Sequence, residues 1–291
     1  MATWGGVAGK RVLISGATRG IGLAGAIELA RRGAELTLVA RSEARAADVV
    51  RRIQSAARGA AVDVLTADLG SQASIRKLAH DAQARYPRIQ VLVNNAGAIY
   101  RRRQLSPDGI ELTWAVNHLA PFLLTTLLLP RITAGAPARI VTTSSDAHQG
   151  ARIPFEDLNA ERSWGGLGFT RYGETKLANI LFTVELARRV VGTGVTANCF
   201  HPGFVATGFN RNNGFLMRVG MAISRPFARS AAKGAETLVW LVDSEAAGDT
   251  SGGYFVDEHL VIPSAAAQDR ETASRLWQVS EAQIQRSGAH A

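Results

Sequence analysis

The stretch RVLISGATRGIG occupies residues 11–22 of the chain. It begins as a short apolar run with β-branched residues, which is typical of a buried strand, and continues into a turn containing Gly16, Gly20 and Gly22. An alanine-rich helical pattern follows over residues 23–32 and stops at Gly33, a common helix C-terminal stop. A strand, a glycine turn and a helix in this order are typical of the opening unit of dinucleotide-binding folds.

Each glycine of the turn has its own expected role. Gly16 permits the tight turn, Gly20 lets backbone approach a pyrophosphate, and Gly22 allows close packing of the helix. The phosphates would face free N–H groups at the helix N-terminus. Because the spacing is G-x-x-x-G-x-G and not the commoner G-x-G-x-x-G, the interpretation depends on the flanking strand and helix.

Strand and helix patterns alternate along the whole chain, which predicts an α/β fold with a doubly wound, Rossmann-type parallel sheet of seven strands and helices on both faces. The predicted strands are 11–14, 35–40, 61–66, 89–93, 138–143, 194–200 and 253–256. The predicted helices are 23–32, 42–57, 71–85, 107–129, 172–191, 231–242 and 269–284. No linker or repeat divides the chain, so we expect a single domain over 1–291, with extensions at 1–9 and 264–291.

Ligands of such sheets bind beyond the carboxyl ends of the strands. An acidic residue after the second strand binds a ribose 2′-OH, whereas an arginine suits a 2′-phosphate. Arg41 stands there, and Arg19 in the glycine turn could supply a second cation, so the sequence favours NADP(H) over NAD(H). The residues at predicted strand ends are Gly16, Arg41, Asp68, Asn95 and Gly97.

Tyr172 and Lys176 stand four residues apart at the start of a predicted helix. Positions i and i+4 share one helix face, so both side chains can act on one small space. A free phenol has a pKa of about 10, and a nearby ammonium favours the phenolate and lowers that pKa. Such a pair suits alcohol–carbonyl chemistry. The same spacing also fits a solvated lysine near a half-buried tyrosine, so other motifs must decide.

Four motifs in one order resemble those of the short-chain dehydrogenase/reductase family. SGATRGIG at 15–22 is similar to T-G-x-x-x-G-I-G, NNAG at 94–97 to N-N-A-G, Asn117 to the helix asparagine, and Tyr172 with Lys176 to Y-x-x-x-K. Further stretches resemble the retinol dehydrogenase and WW-domain oxidoreductase branch. Those stretches are VNHL at 116–119, YGETKLANILF at 172–182, HPG at 201–203 and RLWQVS at 275–280. Many animal members of that branch carry an N-terminal membrane anchor, which we do not expect here.

The resemblance implies roles for individual residues. Ser145 and Tyr172 would contact the substrate, Lys176 would lower the Tyr172 pKa and hold the nicotinamide ribose, and the Asn117 carbonyl would hold a water that links Lys176 to solvent. Residues 208–230 would form a variable substrate lid. Besides Tyr172 and Lys176, the implied cofactor contacts are Gly16, Thr18, Arg19, Gly20, Ile21, Gly22, Arg41, Asp68, Leu69, Asn95, Ala96, Gly97, Pro202, Gly203, Val205 and Thr207.

Pro121 stands four residues after Asn117. A proline inside a helix has no N–H to donate to the carbonyl of residue i−4, which here is Asn117. We therefore expect that carbonyl to be free to hold the water.

Ser144 and His201 receive structural interpretations. We expect Ser144 to have a structural role and His201 to cap the end of the sixth predicted strand.

The bulk properties limit the partners. The chain has 291 residues, a net charge of +9 and one cysteine, Cys199, so no intrachain disulfide forms. We expect no apolar run of membrane-span length and no secretory signal, and hence a cytoplasmic protein, a monomer or homodimer, with peripheral membrane contact by the basic, apolar lid left open. The scattered arginines and the lack of a nucleic-acid motif predict no nucleic-acid partner. We expect no metal.

These patterns together indicate an NADP(H)-dependent oxidoreductase that interconverts an alcohol and an apolar aldehyde or ketone, with retinoids as the analogy from the branch. Two alternatives stay open: a light-driven C=C reductase of the protochlorophyllide type, and an NADP(H)-binding redox sensor or scaffold without turnover. A hydrolase using Ser145, Asp146 and His148 is disfavoured, because the chain has no G-x-S-x-G nucleophile elbow.

Overall fold

The computed structural model describes residues 4–205 and 229–286, whose eight strands form one sheet in the order β3-β2-β1-β4-β5-β6-β7-β8. β1 to β7 pair in parallel, and β8 is antiparallel to β7. The doubly wound, Rossmann-type α/β fold is confirmed, whereas the expected number of seven strands is wrong. The strands are β1 (Arg11–Ser15), β2 (Glu35–Ala40), β3 (Val62–Thr66), β4 (Val91–Asn94), β5 (Ala138–Thr143), β6 (Val195–His201), β7 (Tyr254–Val256) and β8 (His259–Leu260).

The additional strand, β8, has only two residues. Asp257 and Glu258 form the turn before it, with positive φ angles of 50° and 67°. Two positive φ angles suit a tight hairpin turn, but asparagine and glycine are the residues that normally signal one. A two-residue strand after an Asp-Glu turn therefore gave no recognisable pattern.

Seven helices among the described residues cover both faces of the sheet. β1 alternates between the faces, since Leu13 lies in one hydrophobic cluster and Val12 and Ile14 lie in the other. The first cluster contains residues of α3, α4, α5 and α7, and the second contains residues of α1, α2 and α6. The helices are α1 (Gly20–Arg31), α2 (Glu43–Ala56), α3 (Gln72–Arg85), α4 (Leu112–Thr133), α5 (Phe169–Arg189), α6 (Ala231–Asp243) and α7 (Arg270–Arg286).

Helix α4 has the length and composition of a membrane span, with a mean hydropathy of 1.4. This contradicts the expectation that no apolar run reaches that length. In the protein, 72% of that apolar window is buried. The core cluster shared with α3 and α5 includes Leu119, Leu123, Leu124 and Leu128 of this helix. A core helix covered on several sides needs the same apolar composition as a membrane helix.

The carboxyl ends of the central strands are held together by Asn95. Its Nδ2 donates to the carbonyl oxygens of Ser15 and Gly16, at 3.3 and 3.1 Å, and its Oδ1 accepts from the Thr143 hydroxyl at 3.3 Å. A Cβ at Gly22 would lie closer to the Gly16 carbonyl oxygen and to Asn95 Nδ2 than van der Waals contact permits. Gly22 is therefore required by this junction of three segments, and not only by helix packing.

Two glycines of α1 provide a matched test of this junction. We expect Gly22→Ala to lower the free energy of unfolding by about 2 kcal/mol or more, because the new methyl group meets backbone that cannot move freely. At Gly25 an added Cβ would lie 3.1 Å from the end of the flexible Leu238 side chain. Gly25→Ala should change stability by less than about 1 kcal/mol, since alanine also favours the helix. Urea unfolding followed by tryptophan fluorescence measures both, and equal stability of the two variants would contradict the assignment.

Candidate active site

The N-terminus of α1 suits an anion. Its N-cap residue, Arg19, makes no side-chain capping hydrogen bond, and the first turn holds no acidic residue. Helices α2 and α5 also lack a side-chain cap, whereas α3, α4 and α6 are capped by side-chain oxygens of Ser71, Glu111 and Ser230. Gly20 begins α1 with a φ of 57°, a conformation that L side chains rarely adopt. No side-chain cap from Arg19 occupies the N–H groups at this helix end, and the cofactor phosphates implied by the resemblance fit them.

Three polar side chains, from Arg41, Asp68 and Tyr100, lie where β2 and β3 end, at the carboxyl edge of the sheet. Arg41 directly follows β2 and is exposed, and Asp68 follows β3. Burial raises the pKa of the Tyr100 phenol, while the charge of Arg41 lowers it and that of Asp68 raises it again. Both charges therefore lie near Tyr100, which the sequence analysis did not single out. The exposed Arg41 can accept an anionic group here.

The loop after β6 lies at the same carboxyl edge of the sheet, beside α6 and Ile21. Gly203 has a φ of 76°, and a Cβ there would lie 2.7 Å from Arg229 Cδ. A Cβ at Gly234 of α6 would meet both Val205 and Ile21. Two implied cofactor residues from distant parts of the chain are therefore adjacent. Thr207 and most of the expected lid lie outside the described residues.

Lys176 is 2% exposed, and its Nζ donates to the Thr143 carbonyl oxygen at 3.0 Å. Burial lowers the pKa of this ammonium to about 8. Nζ lies 5.3 Å from the centre of the Tyr172 ring, so the two side chains share one face of α5 as the spacing predicted. A lysine with such a pKa can gain and lose a proton near neutral pH.

Tyr172 differs from expectation in its titration. Desolvation by the surrounding protein raises the pKa of its phenol to about 12, and a side-chain hydrogen bond with Ser145 acts in the opposite direction. The expected lowering by Lys176 is not found, because burial dominates and the ammonium is directed at the Thr143 carbonyl. The phenol is therefore protonated at neutral pH.

The two serines after β5 have different roles. The Ser144 hydroxyl is buried and donates to the Lys176 carbonyl at 2.8 Å, which joins the end of β5 to α5. The Ser145 hydroxyl accepts from the Ala147 N–H at 3.2 Å and hydrogen-bonds with Tyr172. Ser145 is thus the serine beside the phenol.

Asn117 connects the turn after β4 to α5. Its amide exchanges two hydrogen bonds of 2.8 Å with the backbone of Ala98 and donates to Thr175 Oγ1 at 3.1 Å. The Thr175 hydroxyl donates in turn to the Tyr172 carbonyl at 2.7 Å. With the side chain occupied, the backbone carbonyl is the group left for a water, and that role stays a prediction.

Asn117 lies in a single π-helical turn, Ala115–Leu119, within α4. The Ala120 N–H donates to the Ala115 carbonyl five residues back, and Pro121 follows with no N–H. Such turns often occur at functional sites, because they redirect backbone groups. Sequence reasoning found the proline but not the wider turn.

Arg171, which precedes Tyr172, forms a buried ion pair that sequence reasoning missed. Its Nε donates to Glu111 Oε2 at 2.8 Å and its Nη1 to Glu174 Oε2 at 2.9 Å. Glu111 also caps α4 by accepting N–H groups of the first turn. The pair therefore ties the start of α5 to the start of α4. The available signal was an acidic residue directly before a long apolar helix.

Two further observations concern thiol and metal chemistry. Cys199 is buried, its Sγ lies 3.6 Å from the Gly253 carbonyl oxygen, and burial raises the pKa of its thiol to about 12. It is an inert core residue. Among residues 4–205 and 229–286, no group of three His, Cys, Asp or Glu side chains could hold a metal ion.

Helix α1 begins at the carboxyl edge of a parallel sheet, as in dinucleotide-binding folds, and Ser145, Tyr172 and Lys176 meet near the same edge. The family model described as short chain dehydrogenase matches residues 10–214. The chain belongs to the short chain dehydrogenase family.

Similar proteins extend over nearly the whole chain. A Streptomyces sp. (strain C5) protein, provisionally named daunorubicin C-13 ketoreductase DnrU, is 42% identical over 282 residues, covering 96% of this chain and 94% of that protein. Retinol dehydrogenase 12 of Mus musculus is 39% identical over 274 residues, covering 94% of this chain and 86% of that protein. The Pseudomonas aeruginosa RhlG/NADP active-site complex has a TM-score of 0.69 and 25% identity, covering 92% of this chain and 100% of the other. The resemblance to the retinol dehydrogenase branch is confirmed.

The buried lysine predicts a pH dependence of stability. Unfolding restores the ordinary pKa of Lys176, about 10.4. Between pH 8 and that value the unfolded chain therefore binds a proton that the folded protein does not, so stability rises with pH. Relative to Lys176→Met, the free energy of unfolding of the nucleotide-free wild type should rise by up to about 3 kcal/mol across this window. Urea unfolding at several pH values measures it, and parallel curves for the two proteins would refute it.

Proposed function

We propose that this protein is an NADP(H)-dependent oxidoreductase that interconverts alcohol and carbonyl groups of apolar substrates. The observation that carries the proposal is the convergence of Ser145, Tyr172 and Lys176 at the carboxyl edge of the sheet. Ser145 comes from the end of β5, while Tyr172 and Lys176 come from α5. Three groups that hold or move protons near one point suit the reduction of a carbonyl to an alcohol.

The protons are handled by this chain's own residues. Tyr172, with a pKa of about 12, holds its proton at neutral pH and can donate it to a carbonyl oxygen. The Ser145 hydroxyl, hydrogen-bonded to the phenol, polarises the same oxygen. Lys176, with a pKa of about 8, can gain and lose a proton near neutral pH and so replace the proton that the phenol gives up. In the oxidation of an alcohol, each proton moves in the opposite direction.

The cofactor is NADP(H), which when bound supplies or accepts the hydride. Backbone N–H groups at the start of α1 hold its phosphates, and Arg41 binds the 2′-phosphate, with Arg19 in the adjacent turn. A solved NADP complex of a protein with the same fold supports NADP(H) as the cofactor. Asn95 keeps the glycine turn in place, and we assign Lys176 to the nicotinamide ribose.

An apolar substrate agrees with the surface beside Tyr172. Phe169 precedes Tyr172 by three positions on α5, so the two lie on neighbouring parts of one helix face. Its exposure is 49% and that of Leu167, two positions earlier, is 54%, so two large apolar side chains reach the surface here. Two relatives are named a ketoreductase and a retinol dehydrogenase, after a ketone and an alcohol. We extend carbonyl and alcohol chemistry to this chain, and the exposed apolar side chains favour an apolar substrate.

Turnover that depends on the tyrosine tests the reaction class. We expect NADPH consumption in the dark with a panel of apolar aldehydes and ketones. In Tyr172→Phe the turnover rate should fall roughly 10²- to 10⁴-fold, because the proton donor is gone. Tyr86→Phe is the matched control, since it removes a hydroxyl that donates to Asp63 away from Ser145. Full activity of Tyr172→Phe would refute the mechanism. Tight NADPH binding without turnover of any panel member would refute the function and favour a sensor.

A second experiment tests the choice of cofactor. In Arg41→Ala the KM for NADPH should rise about tenfold, because a charged hydrogen bond is lost, whereas the KM for NADH should change less than about twofold. Arg45→Ala removes another exposed arginine, on α2, and serves as the control. If both variants raise the KM for NADPH equally, general surface charge and not Arg41 recognises the cofactor.

A further inference from the structure

Two buried histidines stand next to catalytic residues, and the mechanism uses neither. His118 follows Asn117, and His148 lies three positions after Ser145. Both side chains are 0% exposed. Each reaches the C-terminal segment, defined here as residues 264–286, through its Nε2 atom. His118 Nε2 lies 2.8 Å from Ser280 Oγ, and His148 Nε2 accepts the N–H of Ser264 at 3.2 Å.

The contacts of His148 determine which ring nitrogen carries the proton. The backbone N–H of Ser264 can only donate, so His148 Nε2 is an acceptor. In the neutral imidazole the proton then lies on Nδ1. Nδ1 lies 2.8 Å from the Ser145 carbonyl oxygen and donates to it. The ring is therefore a fixed two-ended link between the backbone of Ser145 and the C-terminal segment.

The Ser145 turn, defined here as residues 145–148, is also held by β6, α5 and Tyr254. The Asp146 N–H donates to His201 Nδ1 at 3.1 Å, which fixes the turn to the end of β6. A Cβ at Gly173, next to Tyr172, would lie 2.5 Å from the Ala147 carbonyl oxygen, so α5 packs directly on the turn. The His148 ring packs against Tyr254 with 5.1 Å between ring centres. The C-terminal segment supplies the remaining support through His148.

The C-terminal segment is itself anchored to the helix that carries Asn117. Besides the contact between His118 and Ser280, the Trp114 indole donates to Gln283 Oε1 at 3.0 Å. Trp277 stacks on Phe182 of α5 with 5.9 Å between ring centres. The segment is thus fixed to α4 and α5, and its position is transmitted to the Ser145 turn.

We propose that His148 is a positioning residue through which the C-terminal segment holds Ser145 against Tyr172. The Ser145 hydroxyl accepts the Ala147 N–H within the same turn, so any movement of the turn moves this hydroxyl relative to the phenol. The kinetic consequence rests on the proposed function, whereas the link itself is measurable without any substrate.

Ser264 offers a matched pair of variants. Its φ is −54°, within the range that proline adopts, so Ser264→Pro removes the N–H donor with little change in backbone conformation. Ser264→Ala keeps the N–H and removes a buried hydroxyl that has no hydrogen-bond partner. His148→Asn completes the set, because its Nδ2 can still donate to Ser145 while the link to Ser264 is cut.

Hydrogen exchange and kinetics are measured on the full chain. In Ser264→Pro, amides of residues 145–149 should exchange at least about tenfold faster. Its kcat should fall about fivefold or more, with the KM for NADPH unchanged within about twofold, because Ser145 acts on the reacting oxygen and not on cofactor binding. Ser264→Ala should match the wild type. The double variant His148→Asn/Ser264→Pro should be no slower than the slower single variant, since both cut one link.

Three outcomes would overturn the inference. Wild-type exchange and kcat in Ser264→Pro would show that the link has no effect. Faster exchange with an unchanged kcat would remove the positioning role. Equal losses in Ser264→Pro and Ser264→Ala would assign the effect to the loop and not to its N–H donor. If the wild type turns over no panel substrate, the proposed function fails, and exchange in the two Ser264 variants decides on the link.

Discussion

The ammonium of Lys176 is buried with 2% exposure, so it needs an acceptor inside the protein, and the Thr143 carbonyl at the end of β5 provides it. Asn179 donates to the same carbonyl, and the Thr143 hydroxyl donates to Asn95. Asn95 in turn donates to the carbonyl of Gly16 in the glycine turn. One continuous set of hydrogen bonds therefore joins Lys176, proposed to take part in proton transfer, to the glycine turn, proposed to face the cofactor phosphates. The two parts of the proposed site therefore cannot shift independently.

Much of the fold could be predicted because its signals are local. Parallel strands covered on both faces, such as Val91–Asn94, are short apolar runs, and glycines mark the turn after β1. Features that depend on backbone detail could not be predicted. The two-residue strand β8 is too short for a pattern, and α4 begins at Leu112 and not near Pro107 because Glu111 caps it. The π-helical turn around Asn117 depends on how that helix packs, which no local pattern records.

The candidate site also has a part that the sequence predicts and a part that it does not. The glycine turn, Ser145, Tyr172 and Lys176 belong to recognisable spacings, and the structure brings Ser145, Tyr172 and Lys176 together. The supporting contacts join residues far apart in the chain, 60 positions for Arg171 with Glu111 and 116 for Ser264 with His148. No periodicity connects such residues. The Tyr172 pKa is a property of the assembled environment, in which desolvation exceeds the effect of a neighbouring charge, so the residue spacing gave the wrong direction.

The parallel order of the sheet also sets a sequence of events during synthesis. β1 is made first but lies between β2 and β4, and Asn95 reaches back 79 positions to the Gly16 carbonyl. The glycine turn and its contact with Asn95 can therefore form once about the first third of the chain has left the ribosome. The contact between Lys176 and Thr143 follows much later in the chain. On a ribosome adding residues at about 5–20 per second, the glycine turn and Asn95 have several seconds to join before Lys176 is made.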